Sequence, residues 1–251
     1  MSAVDKNSSS SKPELESVPV QISFCNQVFT PLLSGGLFWA EQNTLLVADL
    51  HFEKMSSFAR SGQLLPPYDT GATLARLASD LDATNARRVI CLGDSFHRDE
   101  GTMTLSPKDL TGISDLVSRF EWIWLAGNHD PTSHQLGGTC LAQLEWAGLT
   151  LTHEPSISAK KQISGHLHPA AKVRMNGRAV RRQCFAHDER QMILPAYGVS
   201  TGSLNVLSKA FAGLFERKNL RVTMIGKDRL YPVATKYLVC PGLCNSKQGR
   251  N

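Results

Sequence analysis

The sequence predicts an α/β fold, and two observations carry that expectation. Through the middle of the chain, apolar runs of β type alternate with stretches of helical periodicity, and each of these runs ends on residues suited to holding a metal or moving a proton. Polar groups collected at the carboxyl ends of buried strands are how open α/β sheets build their sites. At 251 residues the chain is long enough to bury a sizeable core around such a site.

The elements follow in order. Residues 1–19 are rich in Ser, Lys, Glu and Pro and lack apolar periodicity, so a disordered tail is expected there. Residues 20–245 are expected to form a single domain, followed by a polar tail at 246–251. Leu45-Leu46-Val47-Ala48 runs to Asp49, Arg88-Val89-Ile90-Cys91-Leu92 to Gly93-Asp94, and Trp122-Ile123-Trp124-Leu125-Ala126 to Gly127-Asn128. Leu149-Thr150-Leu151-Thr152 leads to His153, and Gln162-Ile163-Ser164 to Gly165-His166. Between them, Asp69 or Thr70 can cap a helix whose apolar face is Leu74, Leu77, Ala78 and Leu81. Ser106 as N-cap and Pro107 in the first turn announce a second, with Leu110, Ile113, Leu116, Val117 and Phe120 on one face. A third is expected over residues 139–147, stopping at Gly148. Farther on, Asn176-Gly177 between two β-type runs predicts a two-residue hairpin, and a further hairpin is expected around Gly226-Lys227-Asp228.

Composition narrows the class. The six cysteines are scattered, no apolar run is long enough to span a membrane and no secretory apolar segment opens the chain, so a reduced, soluble, cytoplasmic protein without membrane association is expected. Cys240 and Cys244 have no second Cys or His pair nearby and read as ordinary thiols. The formal net charge is +5, and two bound divalent cations would raise it to roughly +9, a balance that suits a polyanionic substrate.

Five short motifs carry the chemistry: Asp49-Leu50-His51, Gly93-Asp94, Gly127-Asn128-His129-Asp130, Thr152-His153 and Gly165-His166-Leu167-His168. Five of the eight histidines fall inside them, leaving His97, His134 and His187 outside. Residues two apart on an extended segment point the same way, so Asp49 and His51 can converge on one cation. A strand-end carboxylate such as Asp94 can bridge two cations at roughly 3.5 to 4 Å separation. Asn128 offers a neutral oxygen ligand, His129 a proton donor that need not touch metal, and Asp130 a carboxylate able to orient that imidazole. His153, His166 and His168 supply further nitrogen ligands. A donor set of oxygen and nitrogen without thiolate suits Mn²⁺, Fe or Zn²⁺ better than Ca²⁺, and of these Mn²⁺ is the first expectation.

This ordered set resembles the calcineurin-like metallophosphoesterase superfamily over about residues 45–170. The resemblance implies a sandwich of two mixed β-sheets flanked by helices, with two divalent metal ions. Asp49, His51 and His168 would hold one ion, Asn128, His153 and His166 the other, and Asp94 would bridge them. It further implies hydrolysis by a hydroxide held between the ions, with His129 serving the leaving oxygen and Asp130 behind it. Val47-Ala48-Asp49-Leu50-His51-Phe52-Glu53-Lys54, Leu92-Gly93-Asp94-Ser95-Phe96-His97, His153-Glu154-Pro155, Gly165-His166-Leu167-His168-Pro169 and Leu194-Pro195-Ala196-Tyr197-Gly198 are similar to one branch, the ligase-associated DNA damage response endonucleases of the PdeM family. That branch implies a phosphodiesterase or DNA endonuclease working beside a DNA ligase and associated repair enzymes. Arg60 and the hairpin residues Lys172, Arg174, Arg178, Arg181 and Arg182 are the candidate nucleic-acid contacts. The competing reading is a phosphodiesterase or phosphatase for a small nucleotide or phosphometabolite.

Overall fold

A computed structural model describes residues 19–56, 68–132, 134–175 and 177–240. The expected tails other than Pro19, and with them Arg60, Asn176 and Cys244, lie outside the described residues. The first sheet holds β1 (Ile22–Phe24), β2 (Gln27–Pro31), β3 (Leu37–Trp39), β4 (Thr44–Val47), β5 (Arg88–Cys91), β6 (Glu121–Leu125) and β7 (Thr139–Leu141) in chain order. Its early strands form an antiparallel meander, whereas β4 through β7 run parallel. The parallel steps are covered by α1 (Asp69–Thr84), between β4 and β5, and α2 (Pro107–Arg119), between β5 and β6.

The second sheet is ordered β14 (Leu204–Asn205), β11 (Pro169–Met175), β12 (Arg178–His187), β13 (Gln191–Ile193), β10 (Gln162–Ser164), β9 (Leu149–Leu151) and β8 (Leu144–Trp146). β15 (Arg221–Ile225) and β16 (Leu230–Ala234) extend it from β12 as a hairpin. Here β9, β10 and β13 are parallel and the rest is largely antiparallel. The expected α/β architecture of two mixed sheets with flanking helices is therefore present.

Apolar burial explains the layering. Phe29, Leu37, Leu46, Ile90 and Ile123 of the first sheet meet Leu149, Ile163, Phe185 and Met192 of the second in one shared core. β4 is buried at every position, as a strand covered on both faces must be. Its alternate face, with Leu45, Val47, Val89 and Cys91, packs under Leu77 and Leu81 of α1 and Ile113 and Leu116 of α2. A third cluster lies on the outer face of the second sheet, where Ala171, Val173 and Val222 meet Phe211 and Leu214.

The helices differ in how they start. Ser106 caps α2 as expected, its hydroxyl accepting from Asp109 N at 3.1 Å with Pro107 in the first turn. In α1 the cap position falls to Tyr68, which makes no side-chain cap bond, because Asp69 and Thr70 face the loop that leaves β4. The helix expected over residues 139–147 is corrected to strands β7 and β8. Gly148 does not cap a helix: Ala147 at φ 48 and Gly148 at φ 79 form the two-residue turn joining β8 to β9, with Trp146 opposite Leu149. β11 and β12 pair in antiparallel register with Met175 opposite Arg178, and the second hairpin closes with Ile225 opposite Leu230. Among the described residues no helix is long and apolar enough to cross a membrane, and Cys25, Cys91, Cys140, Cys184 and Cys240 are free thiols.

Candidate metal centre

All seven expected ligands sit just past the carboxyl ends of parallel strands. Asp49, Asp94 and Asn128 follow β4, β5 and β6, which are neighbours in the first sheet. His153 and His166 follow β9 and β10, neighbours in the second, and His168 lies between β10 and β11. The shared core holds the two sheets so that both sets of loops open at the same place.

The donors form two groups. In one, Asp49 Oδ1 is 3.2 Å from His168 Nε2, which is 3.4 Å from His51 Nε2. In the other, Asn128 Oδ1 is 3.0 Å from His153 Nε2 and 2.9 Å from His166 Nδ1, and those two nitrogens are 3.1 Å apart. Asp94 Oδ2 lies between the groups, 3.8 Å from His51 Nε2 and 3.3 Å from His153 Nε2. The spacing is set by chemistry: ligands at roughly 2.0 to 2.2 Å from one cation stand roughly 3 to 3.5 Å from each other. Asp49, His51, Asp94 and His153 are buried, and the triads Asp49, His51, His168 and Asp94, His153, His166 are each compact enough to hold an ion.

Without a cation this convergence is unfavourable. His153 Nδ1 lies 2.9 Å from the Leu92 carbonyl, which can only accept, so Nδ1 carries a proton and the lone pair of a neutral ring would face Asn128 Oδ1 and Asp94. Burial pushes the His153 imidazole down, but Asp94 and Asp49 outweigh it and hold it up at about 9. Burial likewise works to raise Asp94, yet His153 and the His129 backbone N–H bring it down to about 2. Burial drives His51 down to about 2, leaving a neutral imidazole suited to ligation. A proton on His153 thus stands where a divalent cation would serve, and the donors present fit such ions.

His129 reaches over this cluster with Nε2 4.0 Å from Asp94 Oδ2, and its own backbone N–H donates to Asp94 Oδ1 at 2.9 Å. Its Nδ1 bonds the His97 carbonyl at 3.0 Å. The expectation that Asp130 orients this ring is corrected. Asp130 Oδ2 accepts from Ser95 N at 2.8 Å and Phe96 N at 3.0 Å, while Oδ1 accepts from Gly127 N at 3.1 Å. Its carboxylate therefore ties the Asp94 loop to the Asn128 loop, and burial pushes it up to about 6 against the pull of those N–H groups. The approach is so tight that a Cβ on Gly127 would collide with Asp94 and Asp130, which accounts for glycine there.

His97, outside the five motifs, also joins the site. Its ring stacks on His129 with centroids 5.4 Å apart and planes 20° apart, and it meets His51 edge-on at 5.7 Å. Burial and the nearby Lys54 charge bring its imidazole down to about 4. Its place in the stretch 92–97, three residues after Asp94 in the same loop, is the signal that could have found it.

The basic hairpin divides by face. Lys172 pairs with Arg181 and Arg174 with Ala179, which puts Lys172, Arg174 and Arg181 on one side. Arg178 opposite Met175 and Arg182 opposite Ala171 take the other side, the one that sends Val173 and Val180 toward the third core. Arg181 Nη2 donates to the Ser203 carbonyl at 2.5 Å, beside the segment where Leu204 N bonds the His168 carbonyl. The side bearing Lys172, Arg174 and Arg181 is therefore the one joined to the metal loops.

No protein-family model matches the chain, and no curated protein matches it. Among solved structures, the nuclease MPE of Pseudomonas putida is similar with a TM-score of 0.65 at 25% sequence identity, over 85% of this chain and 99% of that one. Yfce, a phosphoesterase from E. coli, shows a fainter likeness, with a TM-score of 0.32 and 13% identity over 78% of this chain and 96% of that one.

Proposed function

We propose that this chain is a metal-dependent phosphodiesterase that cuts nucleic-acid backbones, with DNA as the substrate and DNA repair beside a ligase as its setting. One observation carries the reading: two groups of donors, anchored by the buried Asp49, His51 and His153, converge on a shared buried carboxylate, Asp94, at ligand spacing. The likeness to a nuclease over nearly the whole of that protein supports the choice of a phosphodiester substrate. Two divalent ions, Mn²⁺ first, would be held by Asp49, His51 and His168 and by Asn128, His153 and His166 with Asp94 between. When bound they supply an activated water and neutralise phosphate oxygens.

The chain's own residues do the rest. The His97 carbonyl fixes His129 Nδ1 as a donor, so His129 can give up a proton only from Nε2 of the doubly protonated ring, the atom that overhangs the cluster. The stack of His97 on its other side holds the ring in that pose. Lys172, Arg174 and Arg181 lead away from His168 along β11 and β12, where Lys172 lies roughly 13 Å and Arg174 roughly 20 Å from it at about 3.3 Å per residue. That spacing suits a phosphate backbone running out of the site.

The test uses the full chain with Mn²⁺, supercoiled plasmid and bis(p-nitrophenyl) phosphate. Nicking of plasmid and hydrolysis of the diester are expected, both abolished in Asp94→Ala. Turnover of small nucleotides with plasmid intact in Mn²⁺, Fe²⁺ and Zn²⁺ would instead establish the small-molecule reading.

A further inference from the structure

Every second residue from Asp49 to Glu53 is left-handed, with φ 55 at Asp49, 45 at His51 and 62 at Glu53. Such a conformation is strained for a non-glycine residue and persists only where its surroundings over-determine it. Part of the restraint comes from the neighbouring loop: His51 N donates to the Asp94 carbonyl at 2.9 Å and Phe52 N to the Ser95 carbonyl at 2.8 Å.

The rest comes from two places far apart in sequence. Tyr197 N donates to the Ala48 carbonyl at 2.8 Å and Gly198 N to the Asp49 carbonyl at 3.2 Å, so residues 197–198 strap the first ligand from outside. A Cβ on Gly198 would strike the Leu50 carbonyl, which is why the strap lies so close. On α1, Thr70 Oγ1 accepts from Glu53 N at 2.8 Å, Asp69 Oδ2 from Met55 N at 2.9 Å, and Thr73 Oγ1 from Val199 N at 3.4 Å.

The strap and the helix are locked to each other. The Tyr197 hydroxyl donates to Asp80 Oδ2 at 2.8 Å, and the Ser34 hydroxyl shares that acceptor. Arg76 Nη1 donates to the Tyr197 carbonyl at 2.8 Å and to the Ser34 carbonyl at 3.2 Å. Asp69, Thr73, Arg76 and Asp80 recur at helical spacing, with Thr70 next to Asp69 and one turn before Thr73, so one polar stripe of α1 carries these contacts. Tyr197 is fully buried, and burial together with Asp80 pushes its hydroxyl upward, so it remains a donor.

We propose that Tyr197 and the polar stripe of α1 are positioning residues that hold Asp49 and His51 in ligand geometry and so set the affinity of one cation site selectively. The site is the one made by Asp49, His51 and His168. Asn128, His153 and His166 hang from the ends of β6, β9 and β10, and the strap reaches them at one remove, through the Asp49 carboxylate, which accepts from His166 N and lies 3.9 Å from His153 Nδ1. The inference rests on the two-cation reading above.

The experiment is calorimetric titration of metal-free full-length protein with Mn²⁺, with His168→Ala and His166→Ala assigning the two binding steps. Tyr197→Phe, which removes only the hydroxyl, is expected to weaken the step lost in His168→Ala by about 10- to 100-fold, the scale of outer-shell partners of metal ligands, and the other step far less. Asp80→Asn keeps an acceptor for the phenol and should recover most of the affinity lost in Asp80→Ala. Should Tyr197→Phe fail to unfold cooperatively, the near-isosteric Thr70→Val carries the same expectation from the other end of the stripe. Equal weakening of both steps, or no weakening, overturns the positioning role while leaving two sites in the unaltered protein. Fewer than two Mn²⁺ bound by the unaltered protein removes the two-cation reading and this inference with it.

Discussion

His129 and Asp130 are adjacent in sequence but do separate jobs, and their variants should fail differently. His129 Nε2 overhangs Asp94, and the ring's own contacts are to His97, through its carbonyl and its stacked ring, while the bond to the Asp94 carboxylate comes from the His129 backbone N–H and survives loss of the ring. His129→Ala is therefore expected to keep both cations and lose on the order of 10²- to 10⁴-fold in rate on poor leaving groups, with a smaller loss on p-nitrophenyl esters. Asp130 accepts three backbone N–H groups from two ligand loops, so Asp130→Asn should weaken cation binding and stability with the same loss for both leaving groups. A leaving-group-dependent loss in Asp130→Asn would restore the orienting role read from sequence. The seven candidate donors that the structure brings together were legible in the sequence because each lies in a short motif near a strand end. The partner of His129 was not, because neighbours in a tight turn point apart: Asp130 turns back to Ser95 and Phe96, and a carbonyl from His97 takes its place.

At the scale of elements, strong periodicity was legible and short edge strands were not. α1 and α2 each pack an apolar face onto the first sheet, whereas β7 and β8 are three residues long with half-exposed side chains and imitate a helix. Register also sorts the basic hairpin in a way composition could not. Lys172→Ala and Arg174→Ala should each lower DNA affinity and flatten its salt dependence by about one unit of slope, as loss of one phosphate contact does, while Arg178→Ala and Arg182→Ala change little. Filter-binding isotherms across salt concentrations read this directly, and equal effects from all four would dissolve the division of faces. At the end of β12, His187 is buried, and burial with the nearby Arg221 brings it down to about 4. Its pKa lies below the unfolded value near 6.5, so the unfolded chain binds more protons between those limits and stability falls as pH drops from about 6.5 to 4. The effect is on the order of 3 kcal/mol. Urea unfolding of metal-free protein at pH 7.5 and 4.5 should show His187→Gln losing less than the unaltered chain; equal losses would contradict this.

Across the whole molecule, two sheets sharing one core bring together ligands that lie more than a hundred residues apart, such as Asp49 and His168. That juxtaposition is what order along the chain could suggest but not display. It also means that cations binding only the folded state should stabilise it, by about 2.7 kcal/mol per site at a hundredfold excess over Kd. Whether two cations share Asp94 is read from anomalous scattering by a crystal of the protein soaked in Mn²⁺. Two peaks are expected, one at about 2.0 to 2.3 Å from donors of Asp49, His51 and His168, the other likewise from Asn128, His153 and His166, with an oxygen of Asp94 reaching both. A single peak, or peaks away from Asp94, would contradict the account.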